Sequence, residues 1–539
     1  MKSWVQEAAR WIDRCVEQRR REASNPALTV AVTDRERTVH LGLYGVTDLD
    51  KGTPIGPHTM FEIGSVSKTF GAVVAMQAHE AGLLDLHAPV TAYLPWFEAG
   101  GGDAPVAVHH LLSHTAGFVY SMDYSPDPRG VVYGLRGLDL GSLAPGTHFY
   151  YSEPGYQALT LVLQAACGKL YAQMVREGIF GPLGMAHSAS AITHALRPRL
   201  ARGYAHLYDD RPPHSSHPLV PAAWLEFSSA DGAISSTGED MAKFVRMLLN
   251  RGRGPNGPLL SEESFALMTQ EVIAGSGYAY GIHTWEDDKG RHLFHSGDMP
   301  GYEGYFSIDV DVGLGVVVLA TQPYPSGLIR QVRDAARAAF LGHPLPEMPS
   351  PDQAAHVERA EDYAGVYCAG DRTLTFVADG DRLLLDLDGE RVALESRGDD
   401  CFYANHPRFD LFLFRFGRAE GTQDAPGPVI EVAHGANWYA GDAYAGPRIF
   451  DYPPAWDAYA GHYRMHNPWL TNFRVIVRKG ELLFVWPEGD EDPLAPLPDG
   501  SFRLGGDHSP ERLRFDQLVD GQAWRATLSG CHYYRFFTP

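Results

Sequence analysis

The sequence predicts a multidomain protein of α/β and all-β parts: a mixed α/β domain over residues 1–345, then two antiparallel β-barrels over residues 358–450 and 455–539. Three observations carry this reading. Strand-like runs stand at both ends of the first region, with helical patterns between them. A proline-rich stretch then interrupts regular structure. Beyond it, one five-residue phrase recurs at the head of two segments with alternating hydrophobicity.

In chain order, Trp4, Ala8, Trp11, Ile12 and Cys15 mark the apolar face of an amphipathic helix. Two strand runs follow, Ala27 to Thr33 and Val39 to Tyr44. Helical patterns run from about Ser65 to Gly82, from Gly155 to Cys167 and from Gly238 to Asn250. Strand signals return at Gly304 to Asp309 and Gly315 to Ala320. Strands from both ends of one region predict a single antiparallel sheet with a helical region inserted. Prolines 344, 346, 349 and 351 make 343–357 a linker, since proline fixes φ and lacks a donor. Leu374 to Ala378 and Leu383 to Leu387 alternate between Gly/Asp turns, which suits barrel strands. Tyr363-Ala-Gly-Val-Tyr367 recurs as Tyr459-Ala-Gly-His-Tyr463 after a break at Pro453-Pro454, which predicts tandem barrels.

Composition narrows the function classes. The 539 residues carry a net charge of −21, which repels nucleic-acid phosphates and anionic lipid surfaces. No run of about 20 apolar residues is present to span a membrane. The N-terminal stretch lacks the apolar core of a secretory signal, so a cytoplasmic location is expected. Cys15, Cys167, Cys368, Cys401 and Cys531 are scattered without a CxxC, which argues against a disulfide framework or zinc site. No metal or cofactor is expected. Oligomeric state is left open, a homodimer included.

The chemistry-bearing residues fall into three elements. In Ser65-Val-Ser-Lys68 the hydroxyl and amine share a helix face at i, i+3. A serine becomes a nucleophile when a neighbour takes its proton, and the helix start can offer the Ser65 N–H to an oxyanion. Tyr151 stands just before Pro154-Gly155, where a new helix opens, and can present its phenol for proton relay. His295-Ser-Gly297-Asp298 follows a strand, and Gly297 lets a substrate backbone approach the strand edge.

This order of Ser-x-x-Lys, Tyr-x-x and His-x-Gly resembles the serine β-lactamase and penicillin-binding protein superfamily. Leu111-Leu-Ser-His-Thr-Ala-Gly-Phe118, Phe180-Gly-Pro-Leu-Gly-Met185 and Gly232-Ala-Ile-Ser-Ser-Thr-Gly-Glu-Asp-Met241 are similar to phrases of the same branch. The resemblance covers about residues 20–335. It implies a β-lactamase-like α/β catalytic domain, an antiparallel sheet plus helical region. It implies that Ser65 forms an acyl-enzyme, with Lys68 and Tyr151 sharing acid and base work. The N–H groups of Ser65 and Asp298 would form the oxyanion hole. His295 would line the site and bond Tyr151 or substrate.

One position departs from the family. Glu153 stands where Asn is usual, and an ionised carboxylate there favours a charged Lys68. Glu153 is expected to bind a substrate amine or position the lysine; the alternative is an outward helix-start acid, favourable near the dipole. Tyr403-Ala-Asn405 also fits Tyr-x-Asn but lies in the first barrel. His110 and His114, at i, i+4, could hold a metal on paper, but no third ligand is apparent and a structural role is expected.

A catalytic domain with two barrels resembles D-aminopeptidases of this superfamily, whose barrels are lipocalin-like. The leading expectation is therefore a serine hydrolase releasing an N-terminal D-residue from a small peptide, amide or ester, with Glu153 or Asp298 receiving the free amine. The alternatives are a penicillin-binding-type thioesterase that cyclises a nonribosomal peptide, a carboxylesterase, and a non-catalytic binding protein on the same fold.

Overall fold

The computed structural model describes residues 3–99, 104–122, 125–138, 143–350, 355–421 and 426–536, so Pro351 of the linker lies outside the described residues. The chain divides into two units. The first comprises residues 1–205, 219–351 and 508–511; the second comprises 206–218, 352–507 and 512–539.

The first unit is built on helix α1 (Ser3–Glu22), strands β1 (Ala27–Thr33) and β2 (Thr38–Gly45), helices α2 (Ser67–Glu80), α3 (Glu153–Cys167) and α4 (Gly238–Leu249), strands β3 (His283–Asp287), β4 (Gly290–Met299), β5 (Tyr302–Asp309) and β6 (Leu314–Thr321), and helix α5 (Leu328–Leu341). Six strands form one antiparallel sheet in the order β2-β1-β6-β5-β4-β3. The two ends of the region thus meet at the β1–β6 pair, where Val30 faces Val318.

Strand periodicity explains the layering. Leu28, Val30, Val32, Leu314, Val316 and Val318 pack with Trp11, Ile12, Leu328 and Val332 of α1 and α5. Ala27, Ala31, Val317 and Leu319 point the other way, into a larger core with Phe70 and Val73 of α2 and Phe244 and Val245 of α4. Helix α2 is almost wholly buried because it runs through this core. The apolar run after Lys68 is therefore central, and it places the Ser65 turn at the end of a buried rod. The linker is tied to the same unit, where Trp11 Nε1 donates to the Pro346 carbonyl at 3.0 Å.

The second unit contains two closed eight-stranded antiparallel barrels, spanning Gly365–Ala369 to Asn437–Ala440 and Gly461–Arg464 to Cys531–Phe536. Closure removes the free strand edges. Each interior is aromatic and aliphatic, with Tyr367, Phe376, Phe402 and Phe416 in one and Tyr463, Phe473, Phe484 and Phe502 in the other. The repeated phrase has the same physical job in both. Tyr367 Oη donates to the Tyr363 carbonyl at 3.0 Å, and Tyr463 Oη donates to the Tyr459 carbonyl at 2.7 Å. The phrase is thus a plug that satisfies a buried phenol at the start of each barrel. Tyr403 of the out-of-order Tyr-Ala-Asn belongs to this unit, and its phenol contacts His217 Nε2 at 3.3 Å.

Candidate active site

Ser65 lies in a single 3-10 turn, Gly64–Val66, that leads directly into α2. The helix proper begins two residues later than the sequence pattern predicts, because Gly64 takes a left-handed φ of +51°. A Cβ at Gly64 would stand 2.5 Å from the Asp298 backbone nitrogen, so only glycine fits there. A Cβ at Gly297 would stand 2.1 Å from the Ile63 carbonyl oxygen and 2.6 Å from the Ser65 nitrogen. The missing side chain at Gly297 serves a contact within the protein. It makes room for the chain's own backbone, letting β4 lie against the Ser65 turn. The close approach brings the Ser65 and Asp298 backbones together at one rim. The Asp298 side chain is exposed and accepts a hydrogen bond from Gln322 Nε2 at 2.9 Å.

Lys68, one turn along, is wholly buried. Its Nζ has three oxygen partners: Ser65 Oγ at 2.9 Å, Glu153 Oε2 at 2.6 Å and the Asp231 carbonyl at 2.9 Å. The Tyr151 and Tyr156 rings lie beside it, with centroids 4.9 and 5.5 Å from Nζ. Burying a charged amine is costly unless its protons are satisfied and an anion stands near, and here both conditions are met.

Glu153 is the first residue of α3, capped by Ser152, whose Oγ accepts from the Gly155 N–H at 3.2 Å. Its side chain does not turn outward to solvent as a helix-start acid. It turns inward, with Oε1 3.4 Å from Ser65 Oγ and Oε2 on Lys68. Burial raises its carboxyl above the ordinary range, and the Lys68 charge opposes that rise.

The Tyr151 ring lies beside Lys68, its phenol in the same cluster as Ser65 and Glu153. Burial and then the Glu153 charge push that phenol well above the usual tyrosine range, which holds it neutral. Its placement comes from His114 in the Leu-Leu-Ser-His-Thr loop. The His114 carbonyl accepts from the Tyr150 N–H at 2.8 Å, His114 Nδ1 accepts from the Ser152 N–H at 3.0 Å, and the imidazole stacks on the Tyr151 ring at 4.1 Å. His110 Nδ1 accepts from the Ala107 N–H at 3.0 Å. Both histidines therefore use a ring nitrogen to hold backbone.

His295 is buried behind the site, and its Nε2 meets the Tyr278 phenol at 3.1 Å while Nδ1 meets the Ser296 carbonyl at 2.6 Å. Its ring centroid is 6.5 Å from that of Tyr151. The hydrogen bond expected toward Tyr151 goes to Tyr278 instead, because β4 sets the imidazole one aromatic layer deeper. Burial depresses the His295 pKa well below its usual value, so the ring is neutral.

Two residues in this cluster escaped the sequence reading. Asp231 supplies a carbonyl to Lys68 and accepts from Gln157 Nε2 at 2.8 Å. It directly precedes the Gly232 phrase and could have been taken with it. Tyr278 carries no motif at all; only folding brings it to His295. At the outer side, the exposed Tyr120 ring lies 5.9 Å from Tyr151, and within the same unit Glu511 Oε1 accepts from the Tyr120 N–H at 2.6 Å.

The site thus gathers a hydroxyl, an amine, a carboxylate and a phenol at one helix start beside closely approaching backbone. Residues 12–340 match the family model described as Beta-lactamase, and the chain belongs to that family. It is accordingly a serine hydrolase of the β-lactamase and penicillin-binding protein class. Over 386 residues it is 24% identical to penicillin-binding protein 4* of Bacillus subtilis, a match covering 67% of this chain and 84% of that one. Over 207 residues it is 28% identical to a teichoic acid D-alanine hydrolase of Staphylococcus aureus, covering 38% of this chain and 50% of the relative. The structure of an octameric penicillin-binding protein homologue from Pyrococcus abyssi superposes with a TM-score of 0.58 at 20% identity, over 88% of this chain and 97% of that one. That likeness extends the shared fold beyond the catalytic region.

Proposed function

We propose that this serine hydrolase releases an N-terminal D-aminoacyl group from small peptides, amides or esters through an acyl-enzyme on Ser65. The observation that carries the reading is the contact of Ser65 Oγ with Lys68 Nζ at 2.9 Å and with Glu153 Oε1 at 3.4 Å, with the Tyr151 ring centroid 4.9 Å from the same Nζ. In the acylation step Ser65 Oγ bonds to the substrate carbonyl carbon and its proton passes to the surrounding polar group. The Ser65 and Asp298 N–H groups receive the oxyanion, a kind of donor pair worth about 10²–10³ in rate per donor. The neutral Tyr151 phenol is a donor suited to hydrogen-bonding the leaving heteroatom as it departs. Water then resolves the acyl-enzyme.

Preference for a free amine rests on the acids at the site. Glu153 is engaged with Lys68, so the exposed Asp298 carboxylate is the group that meets a substrate ammonium. The hydrolase relative, whose name specifies D-alanine, favours the same stereochemistry. A panel of D-alanyl, L-alanyl and N-acetyl-D-alanyl p-nitroanilides and esters tests this. The free D-alanyl compounds are expected to turn over at least tenfold faster in kcat/KM than the blocked ones. Faster turnover of the blocked acyl esters would make the protein a carboxylesterase instead.

A further inference from the structure

We propose that Glu153 is the catalytic base of this enzyme, taking the proton of Ser65 directly in acylation and that of water in deacylation, while Lys68 remains an ammonium throughout. The inference rests on the acyl-enzyme reading above and assigns the base that reading left open.

Count the protons on Nζ. An ammonium has three N–H donors and no acceptor. Lys68 has three oxygens around it: a hydroxyl, a carboxylate and a backbone carbonyl. Each donor has one partner. A neutral amine has only two N–H bonds and a lone pair, so one of those three oxygens would face the lone pair unbonded. The carbonyl and the carboxylate cannot donate to it. Only the Ser65 hydroxyl could, and that would require Lys68 to give up its charge with a carboxylate oxygen 2.6 Å away. A close, buried anion favours the charged amine. The Lys68 contact therefore makes Ser65 Oγ an acceptor, which frees the serine proton to point elsewhere.

Two groups can receive it. The Tyr151 phenol is neutral and buried, so it offers a lone pair for a hydrogen bond but does not carry the negative charge a base needs. Glu153 Oε1, 3.4 Å from Ser65 Oγ, does. The separation is long for a hydrogen bond, as catalytic contacts in substrate-free sites often are before they tighten in the complex. A carboxyl shifted upward by burial is also a stronger base than an exposed one.

The atoms balance as follows. In acylation the Oγ–H bond breaks, the proton moves to Glu153, and Oγ bonds to the carbonyl carbon. The bond from that carbon to the leaving heteroatom breaks, and the proton held on Glu153 is delivered to the heteroatom. In deacylation water gives a proton to Glu153 as its oxygen bonds to the acyl carbon. The carbon–Oγ bond then breaks, and Glu153 returns the proton to Ser65. The Lys68 charge stays 2.9 Å from Ser65 Oγ, the oxygen that becomes negative as its proton leaves.

The test compares the full-length wild type with Glu153→Gln, Glu153→Asn and Glu153→Asp, using p-nitrophenyl acetate as the acylating probe. The acylation burst is followed by stopped flow, and the Ser65 adduct by intact mass. Glu153→Asn is the decisive variant because it installs the residue usual at this position. The proposal predicts that Gln and Asn variants acylate about 10²–10⁴-fold more slowly than wild type. The Asp variant, which keeps a carboxylate, recovers at least tenfold over Gln. Wild-type kcat/KM should rise on loss of one proton above the ordinary Glu value of about 4.3 and then stay level to about pH 9. That profile needs no variant to fold. A Glu153→Asn enzyme as fast as wild type, or a wild-type rate climbing toward the ordinary lysine value of about 10, would overturn the proposal alone. Absence of any adduct on wild-type Ser65 would overturn both it and the acyl-enzyme reading.

Discussion

Lys68→Met is expected to lower stability by about 3–5 kcal/mol, the usual penalty for removing one partner of a buried ion pair. The side chain is wholly buried, and its loss leaves Glu153 facing Ser65 and the Asp231 carbonyl, oxygen against oxygen. Methionine fills the volume, so the effect reports the charge rather than a cavity. Acylation should fall as well, by about 10²–10⁴-fold, since the ammonium stabilises the charge that develops on Ser65 Oγ. Adding Glu153→Gln to the same chain removes the stranded carboxylate. The double variant should therefore melt above Lys68→Met, and the shortfall from additivity measures the coupling of the pair. Calorimetry of the four proteins provides the cycle. A Lys68→Met protein melting with the wild type would show that the pair does not hold the site.

Gly297→Ala should have the second-largest effect, although it adds a single methyl group outside the reacting set. Its Cβ would fall 2.1 Å from the Ile63 carbonyl oxygen and 2.6 Å from the Ser65 nitrogen, both backbone atoms that cannot rotate away. Either β4 or the Ser65 turn must move. Overpacking of this kind costs about 1–3 kcal/mol. Displacing one donor from the oxyanion position costs about 10²–10³ in kcat. Gly56→Ala is the control, because nothing lies within 4 Å of a Cβ there and its φ is not left-handed. Steady-state kinetics with the preferred substrate and a thermal melt of each variant check both halves.

The sequence made some of this legible and hid the rest for definable reasons. Ser65 and Lys68 are one helical turn apart, so their meeting follows from local geometry. The sheet was readable because β1 and β6 are nearly all apolar and stand at opposite ends of one region. The barrels were readable because the Tyr-Ala-Gly-x-Tyr phrase carries a local hydrogen bond that repeats with it. Tyr278 was not readable: it is one of 26 tyrosines and gains its place beside His295 only when β4 is seated. Asp231 acts on Lys68 through a carbonyl, and a backbone acceptor leaves no mark in residue type. The packing of the 63–66 backbone against Gly297 is a long-range contact, which strand patterns cannot reveal. Glu153 was recognised as a departure, while its direction depended on where α3 starts relative to Lys68.

The direct measurement is intact mass of the full chain after exposure to a fluorophosphonate and, separately, to a D-alanyl ester, followed by peptide mapping. A covalent adduct confined to Ser65 in the wild type, and lost in Ser65→Ala, is the result the geometry predicts. Adduct formation at another residue, or undiminished turnover by Ser65→Ala, would contradict it.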